Sequence, residues 1–282
     1  MMDSSQKKIA ILVHTCDRYQ LLYRGFEYFF QKYWNFEIPC DYFFATEELK
    51  VNIKSFENIQ SGKGEWTTRL RFLLENKISA DYIIYFQEDM WLKDRISDSF
   101  FKNLFEKLQH NNWQQVKLHT SSEYKTTSTE VFVEGLNLAL IDKKTSGYLM
   151  SHQITLWQKD FLLEQIQQSE HPWRNERRGT ERLRNNDAKI YQMDYFLENG
   201  QPPINKNLKN APHCTYYGVS ANAMMFHTSK VFIAEMLNDD DDENIKHYAE
   251  KLRFNFENNI THDGKKPARK LDVFQKLKKW LQ

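Results

Sequence analysis

The sequence lacks an excess of charge of either sign, because its 39 lysines and arginines nearly balance 38 aspartates and glutamates over 282 residues. Nucleic-acid-binding domains usually show a basic excess, so the composition does not support that class. Cysteine is also scarce, and Cys16, Cys40 and Cys214 fit neither a zinc site nor a disulfide framework. A reducing compartment is therefore expected.

A long hydrophobic run is missing as well. The apolar run over residues 9–13 is too short for a signal-peptide core or a membrane span, and no stretch of about 18 apolar residues follows. We therefore expect a cytoplasmic protein that is neither exported by this route nor membrane-spanning. Apolar residues still make up 40% of the chain, which is enough to bury a large core.

The first half alternates between short apolar runs and segments with helical periodicity. Strands are predicted over residues 9–14, 41–45, 82–86 and 116–119, and helices up to residue 34 and over 66–76 and 98–110. Residues 61–64 are the flexible part of a predicted loop after the second strand. This alternation predicts an α/β fold with a mostly parallel, Rossmann-like central sheet flanked by helices.

The second half is less regular. The pattern predicts a strand over 153–157 and helices over 159–167, beyond Pro172, over 229–237 and over 243–254. Because no clean linker occurs before about residue 238, we expect one domain over 1–238 and a helical C-terminal appendage over 239–282.

The tail over residues 265–282 has the pattern of a basic amphipathic helix. Its apolar positions include Phe274, Leu277 and Trp280, and lysines flank them. Such a helix can lie in the headgroups of an anionic membrane, which would place the protein at the inner face as a peripheral membrane protein. The alternative is packing on the domain or on a second subunit of a homo-oligomer.

Polar residues follow three predicted strands, at residues 15–18, 46–48 and 87–89. Ligands of open α/β sheets bind beyond the carboxyl ends of the strands. Thr15, Asp17 and Arg18 could therefore contact a nucleotide, although a helix cap by Thr15 or Asp17 explains the same turn. Glu47 stands at the second strand end. Arg69, on the following helix, could face a diphosphate or only solvent.

Glu88 and Asp89 form a pair of adjacent carboxylates directly after a buried aromatic strand. Mg²⁺ and Mn²⁺ prefer oxygen ligands and can bridge a diphosphate, so the pair is a candidate cation site. A solvated acidic turn is the competing interpretation.

An apolar strand, Thr15-x-x-Arg18, a helix, and the segment YIIYFQED over residues 82–89 together resemble GT-A fold glycosyltransferases, in particular the family 2-like bacterial enzymes of polysaccharide and lipopolysaccharide synthesis. Residues 151–161 are similar to the strand–helix unit that shapes the acceptor site in that fold. The resemblance implies a GT-A-like fold and a nucleotide-sugar donor bound near Thr15 and Arg18. It also implies that Asp89 binds a divalent cation while Glu88 supports it or faces the ribose.

The chain departs from the family pattern at Gln87, where a strict DxD signature requires aspartate. This departure puts the need for Mn²⁺ or Mg²⁺ in question. In some members of the wider fold a later histidine completes the metal site, and His227 is the candidate here, with His213 as a second choice. A packed core histidine is the alternative for His227.

An inverting enzyme needs a general base for the acceptor hydroxyl. The resemblance places a carboxylate after the acceptor strand, and Glu176 and Glu181 are the candidates. Glu176 comes first, since Trp173 three residues earlier could stack on a sugar. Either glutamate could instead pair with a nearby arginine on the same helix.

The leading hypothesis is a hexosyltransferase-like glycosyltransferase that moves a sugar from a nucleoside-diphosphate donor to a glycan or lipid-linked acceptor in surface polysaccharide biosynthesis. A sugar-phosphate nucleotidyltransferase is the first alternative, but it should carry a glycine-rich first turn, and no glycine lies between Val13 and Arg24. A non-catalytic nucleotide- or carbohydrate-binding assembly subunit is the second, and Gln87 is its main support.

Overall fold

The computed structural model of the chain describes residues 6–266. The described chain forms two compact units. The first comprises the chain up to Asp17 together with Leu22–Tyr217, and the second comprises Arg18–Leu21 and the chain from Gly218 onwards. The predicted division into a domain over 1–238 and an appendage over 239–282 stays a prediction.

In the described part of the first unit, the strands are Ile9–His14 (β1), Asp41–Thr46 (β2), Glu57–Gln60 (β3), Tyr82–Phe86 (β4), Met90–Leu92 (β5), Gln115–His119 (β6), Thr126–Thr127 (β7), Phe132–Val133 (β8), Leu136–Asn137 (β9), Ala139–Ile141 (β10), Thr155–Gln158 (β11), Ile190–Glu198 (β12) and Cys214–Gly218 (β13). The helices are Tyr23–Tyr33 (α1), Trp66–Asn76 (α2), Asp98–Gln109 (α3), Lys159–Gln165 (α4) and Pro172–Arg184 (α5). A 3-10 helix over Asp17–Leu22 precedes α1, and its residues Arg18–Leu21 belong to the second unit.

The central sheet has the order β3-β2-β1-β4-β11-β6-β12-β10-β7, and β13 extends β12 and pairs with β5. The strands β3, β2, β1 and β4 are all parallel. β11 then lies antiparallel between β4 and β6, and β12 returns parallel to β6. The predicted α/β class with a central sheet flanked by helices is confirmed. The antiparallel β11 makes the sheet mixed.

The sequence-based prediction missed β3, β12 and β13, and also the short strands β5, β7, β8, β9 and β10. Glu57–Gln60, assigned to a loop, forms the edge strand β3, where only one residue of four is buried and the hydrophobic signal is weak. β12 carries the fully buried polar residues Gln192 and Asp194, which interrupt its apolar pattern. β13 alternates too irregularly to be recognised. Tertiary partners, not local composition, therefore determine these strands.

One face of the sheet is covered by α2, α4 and α5. Leu70, Leu73 and Leu74 of α2 share one buried cluster with Leu12 of β1 and Ile83 of β4. These leucines recur at helical spacing, which is why the helix was predicted with its observed bounds. The cluster fixes α2 beside the carboxyl ends of β1 and β4.

α1 covers the other face and packs closely on β5. Its rings stack on strand residues, with Phe29 and Trp91 centroids 5.4 Å apart. A Cβ atom placed on Gly25 would lie 2.1 Å from Cη2 of Trp91, so only glycine permits this approach. The Trp91 indole Nε1 donates to the main-chain oxygen of Glu88 at 2.9 Å. The close packing of α1 therefore holds the turn that carries Glu88.

The second unit contains a short hairpin, Ser220–Ala221 (β14) and Met224–Met225 (β15), a 3-10 helix over His227–Ser229, and the helices Lys230–Leu237 (α6) and Glu243–Glu257 (α7). α6 and α7 lie where helices were predicted, over residues 229–237 and 243–254. Tyr248 of α7 donates its hydroxyl hydrogen to the Leu21 main-chain oxygen at 2.7 Å, which attaches the segment Arg18–Leu21 to this unit.

No helix within residues 6–266 is long and apolar enough to cross a membrane. The predicted basic amphipathic tail lies almost entirely outside the described residues, so its membrane and subunit contacts remain predictions.

Candidate active site

The turns after β1 and β2 are joined by a reciprocal set of hydrogen bonds. The Asp17 carboxylate accepts from the backbone N–H groups of Glu47 (2.9 Å), Glu48 (2.9 Å) and Leu49 (3.1 Å). In return, Oε2 of Glu47 accepts from the Asp17 backbone N–H at 2.9 Å. Asp17, predicted to contact a nucleotide, therefore has its carboxylate engaged in positioning two strand ends.

Arg69 reaches this junction from the first turn of α2. Its side chain is only 6% exposed. Nη1 donates to the Thr15 main-chain oxygen at 3.2 Å and lies 3.3 Å from Oε1 of Glu47. Nε is buried and has no partner among the described residues. The sequence offered a solvated face as the alternative for Arg69, and the structure places this guanidinium inside the strand-end cluster.

The Thr15 hydroxyl is used within the fold. Its Oγ1 donates to the Ala45 main-chain oxygen at 2.8 Å and lies 2.7 Å from the Tyr23 hydroxyl, which donates to the Cys16 oxygen. Thr15 is buried, so its contribution to a ligand site is to fix the backbone of the turn.

Glu88 and Asp89 follow β4 in a tight turn, closed by a hydrogen bond from the Met90 N–H to the Gln87 oxygen at 3.1 Å. Glu88 is 6% exposed, and Asp89 is half-buried. Burial raises the pKa of Glu88 well above its usual value, the neighbouring Asp89 carboxylate raises it further, and Arg69 opposes both effects. Burial likewise raises the pKa of Asp89 to about 6.

The resemblance to glycosyltransferases implies a divalent cation beside these carboxylates. Among residues 6–266, no group of three or more His, Cys, Asp or Glu side chains is arranged to hold a metal ion. Asp89 and Glu88 nevertheless fit Mg²⁺ or Mn²⁺, which in nucleotide sites binds one or two carboxylates and completes its shell with phosphates and water. A cation would also relieve the repulsion by Asp89 that contributes to the raised pKa of Glu88.

Glu176 is brought to the same end of the sheet by α5. The helix starts at Pro172, with the His171 ring accepting from the Arg174 N–H as its N-cap. Oε1 of Glu176 accepts from the His152 backbone N–H at 2.9 Å. Burial raises the pKa of Glu176, whereas the His152 N–H and the Lys117 ammonium lower it. Burial raises the pKa of Tyr85 on β4, and the charges of Glu88 and Glu176 raise it further.

Glu181 has a different environment. It follows Glu176 by five residues, which turns its side chain about 140° around the helix. The carboxylate is 62% exposed and pairs with Arg184 at 2.5 Å. Of the two predicted bases, only Glu176 is buried and bound to the His152 backbone, whereas Glu181 lies in solvent beside Arg184.

Arg18 and His227 both belong to the second unit. Nε of Arg18 lies 3.6 Å from Oδ2 of Asp263. His227 is exposed, and its ring packs on Phe226 with centroids 4.1 Å apart. The predicted nucleotide contact of Arg18 and metal contact of His227 stay predictions. His213, the second choice, donates from Nδ1 to the Asp194 main-chain oxygen at 2.8 Å.

Two further charged residues near Glu176 were not singled out from the sequence. Lys117 on β6 is fully buried, its Nζ donates to Oγ of Ser151 at 2.9 Å, and burial lowers its pKa to about 7. The pKa of Glu198 at the end of β12 is raised to about 7, mainly by burial and also by the Glu176 charge, against the hydrogen bond to Tyr216. The strand itself was predicted, but its sequence does not show that Gln115 and Lys117 are both buried within the fold.

No protein-family model matches the sequence. No curated protein matches it either. Among solved structures, residues 1–349 of TarS from S. aureus share 10% identity at a TM-score of 0.46, over 89% of this chain and 71% of that chain.

The complex of the same fragment with UDP-GlcNAc gives 9% identity and a TM-score of 0.46, over 87% of this chain and 71% of that chain. A longer TarS structure gives 9% identity and a TM-score of 0.42, and the chain spans 43% of its length. Similarity at this level carries no conclusion about ligand or reaction.

Proposed function

We propose that this protein is a glycosyltransferase that moves a sugar from a nucleoside-diphosphate donor to an acceptor hydroxyl. One observation supports the proposal above the others: Arg69 of α2 brings a buried guanidinium to the ends of the parallel strands β1 and β2, β4 ends in the acidic pair Glu88–Asp89, and α5 adds Glu176. This combination offers an anion-binding group, a cation-binding group and a base at one sheet edge.

The donor half is assigned to the strand-end cluster. Arg69 has a buried Nε–H without a partner, so it can donate to a phosphate or ribose oxygen in a site of low dielectric. Asp89, the more exposed carboxylate, would hold Mn²⁺ or Mg²⁺, and a bound cation would neutralise diphosphate charge. We assign Asp17, Thr15 and Glu47 to positioning of the turn, because their side chains are committed to the fold.

The acceptor half is assigned to Glu176. One of its oxygens is fixed by the His152 N–H, and burial raises its pKa above the usual value, which suits a general base. In the proposed reaction Glu176 takes the proton of the acceptor hydroxyl while that oxygen attacks the anomeric carbon. The bond from this carbon to the diphosphate breaks, and the diphosphate leaves with the electron pair, stabilised by Arg69.

Trp173 gives the acceptor half an apolar surface. Its side chain is 71% exposed, unusually high for tryptophan, and it lies one turn before Glu176 on α5. Aromatic faces of this kind pack against the C–H surface of sugar rings. We therefore expect a glycan or glycan-bearing lipid as acceptor. Family 2 membership and a role in surface polysaccharide or lipopolysaccharide synthesis remain hypotheses.

Ligand-induced thermal stabilisation tests the proposal. UDP, GDP, CDP and CMP, each with and without Mn²⁺, are added to the wild type, to Asp89→Ala, and to Asp160→Ala as a control that removes an exposed carboxylate on α4. One nucleotide should raise the melting temperature in the wild type and the control but not in Asp89→Ala. No shift from any nucleotide would refute the site.

Release of nucleoside diphosphate from a nucleotide sugar then separates a transferase from a non-catalytic binding subunit. UDP-GlcNAc is a reasonable first probe. Binding without turnover in the presence of acceptor glycans would favour the binding subunit. A thermal shift from nucleoside triphosphates combined with sugar phosphates would favour a nucleotidyltransferase.

A further inference from the structure

Four aromatic or imidazole rings meet beside the acidic pair, at the carboxyl ends of β1 and β4. Trp66, at the start of α2, lies between two histidines, with centroid distances of 5.9 Å to His14 and 4.5 Å to His152. Tyr85 closes the group at 6.1 Å from His14 and 5.9 Å from His152. We call these four residues the ring cluster, and the reaction steps above use none of their side chains.

Both histidines of the ring cluster bury a nitrogen that has no partner. His14 is 3% exposed and His152 6% exposed, and Nε2 of each lacks a hydrogen-bond partner among residues 6–266. The buried His119 differs, because Nδ1 lies 3.2 Å from the Ile154 oxygen and Nε2 lies 3.0 Å from the Tyr124 hydroxyl. Unpartnered buried polar atoms are rare in proteins and destabilising, so two side by side point to a group that completes them.

Burial keeps both rings neutral. Nδ1 of His14 lies 3.1 Å from the Tyr85 hydroxyl, and burial lowers the pKa of His14 well below its usual value. A neutral imidazole has one N–H donor and one acceptor nitrogen, so each unpartnered Nε2 donates or accepts according to the tautomer.

Burial and the Lys117 charge lower the pKa of His152 to about 3, although the Pro172 backbone and the Asn175 side chain act in the opposite direction. Its ring is therefore neutral as well, and Nε2 has no hydrogen-bond partner within residues 6–266.

Two neutral, unpartnered imidazole nitrogens beside a half-buried tryptophan match a hydroxyl-bearing ring. A hydroxyl both donates and accepts and so satisfies either tautomer of each histidine, whereas an ionised phosphate or carboxylate only accepts and an ammonium only donates. We propose that His14 Nε2 and His152 Nε2 bind hydroxyl groups of the sugar that the donor carries, with Trp66 against the ring. The inference rests on the proposed function and assigns the residues that recognise the transferred sugar.

Binding measurements on the ligand pair test this assignment. Dissociation constants of the nucleoside diphosphate that stabilises the protein, and of its glucose, galactose and N-acetylglucosamine derivatives, are measured for wild type, His14→Phe, His152→Phe and the control His119→Phe. In the wild type and the control, one nucleotide sugar should bind more tightly than the nucleoside diphosphate alone. In His14→Phe and in His152→Phe the dissociation constant of that nucleotide sugar should rise about tenfold, while the dissociation constant of the nucleoside diphosphate should not change.

The melting temperature without ligand gives a second measurement. His14→Phe removes an unpartnered nitrogen along with one bonded nitrogen, so its melting temperature should stay within about 3 °C of wild type. His119→Phe removes the hydrogen bonds to the Ile154 oxygen and the Tyr124 hydroxyl, so its melting temperature should be lower than that of the wild type.

The failure of this inference differs from failure of the proposed function. If a nucleotide binds but both variants retain the sugar's full contribution, the hydroxyl assignment is wrong and the transferase proposal stands. If a sugar never adds to nucleotide binding in the wild type, the ring cluster is not a sugar site. If no nucleotide binds, both fail together.

Discussion

Replacement of Asp17 should destabilise the fold, because its carboxylate accepts three backbone hydrogen bonds from Glu47, Glu48 and Leu49. A hydrogen bond to a charged group contributes about 1.5–3 kcal/mol, and partial exposure reduces this to about 1 kcal/mol each. Asp17→Ala should therefore lower the free energy of unfolding by about 3 kcal/mol, which corresponds to about 6–12 °C in melting temperature. Asp17→Asn, which keeps one acceptor oxygen, should lose roughly half of that.

Urea denaturation followed by circular dichroism measures this loss. Asp41→Ala, which removes an exposed carboxylate at the start of β2, is the matched control and should change stability by less than about 0.5 kcal/mol. If Asp17→Ala unfolds like the wild type and only nucleotide affinity falls, then Asp17 acts by direct contact, as the sequence first suggested. The hydrogen bonds between the turns after β1 and β2 would then not contribute to the free energy of unfolding.

Glu176→Gln should lower kcat about 10²–10⁴-fold in a transfer assay, while Glu181→Gln keeps kcat; equal losses would remove Glu176 as the base. The folded-state pKa of Glu198 is raised to about 7 from 4.5, so its contribution to stability is present below pH 4.5 and lost as pH rises to 7. Urea titrations across this window should show a shallower decline for Glu198→Gln, and an unchanged slope would contradict the burial of this carboxyl. The pKa of Lys117 is lowered to about 7 from 10.5, so stability should rise between pH 7 and 10.5. Lys117→Met should remove that rise and raise the free energy of unfolding at pH 7 by roughly 1–2 kcal/mol; a loss would mean that the ammonium is well compensated.

The sequence predicted best where local signals agree with the fold. β1, β4 and α2 have their predicted bounds. Their signals, continuous apolar runs in the strands and leucines at helical spacing in α2, can be read from the local sequence without knowledge of distant partners. β2 ends at Thr46, one residue after its predicted end, and α4 begins at Lys159, as predicted. Strands that depend on partners far along the chain, such as β12, gave no comparable signal.

The candidate site was predicted in part. Glu88, Asp89 and Arg69 lie at one sheet edge because strand ends of a parallel sheet meet there, which the alternation of elements implied. Glu176 could be named only among alternatives, since the choice against Glu181 depends on helix rotation. The unpartnered nitrogens of His14 and His152 have no sequence signature, because burial and hydrogen bonding are properties of the packed chain.

The insertion of β11 between β4 and β6 has a consequence for how the chain folds during synthesis. β4 pairs with β1 on one side, but its other edge is covered only by Thr155–Gln158, which the ribosome makes more than sixty residues later. Until then the apolar edge YIIYF is open to other chains. Such late, non-local pairing slows folding and exposes intermediates to aggregation. A nascent chain that stops before β11 should therefore need a chaperone, and truncation there should give an insoluble product.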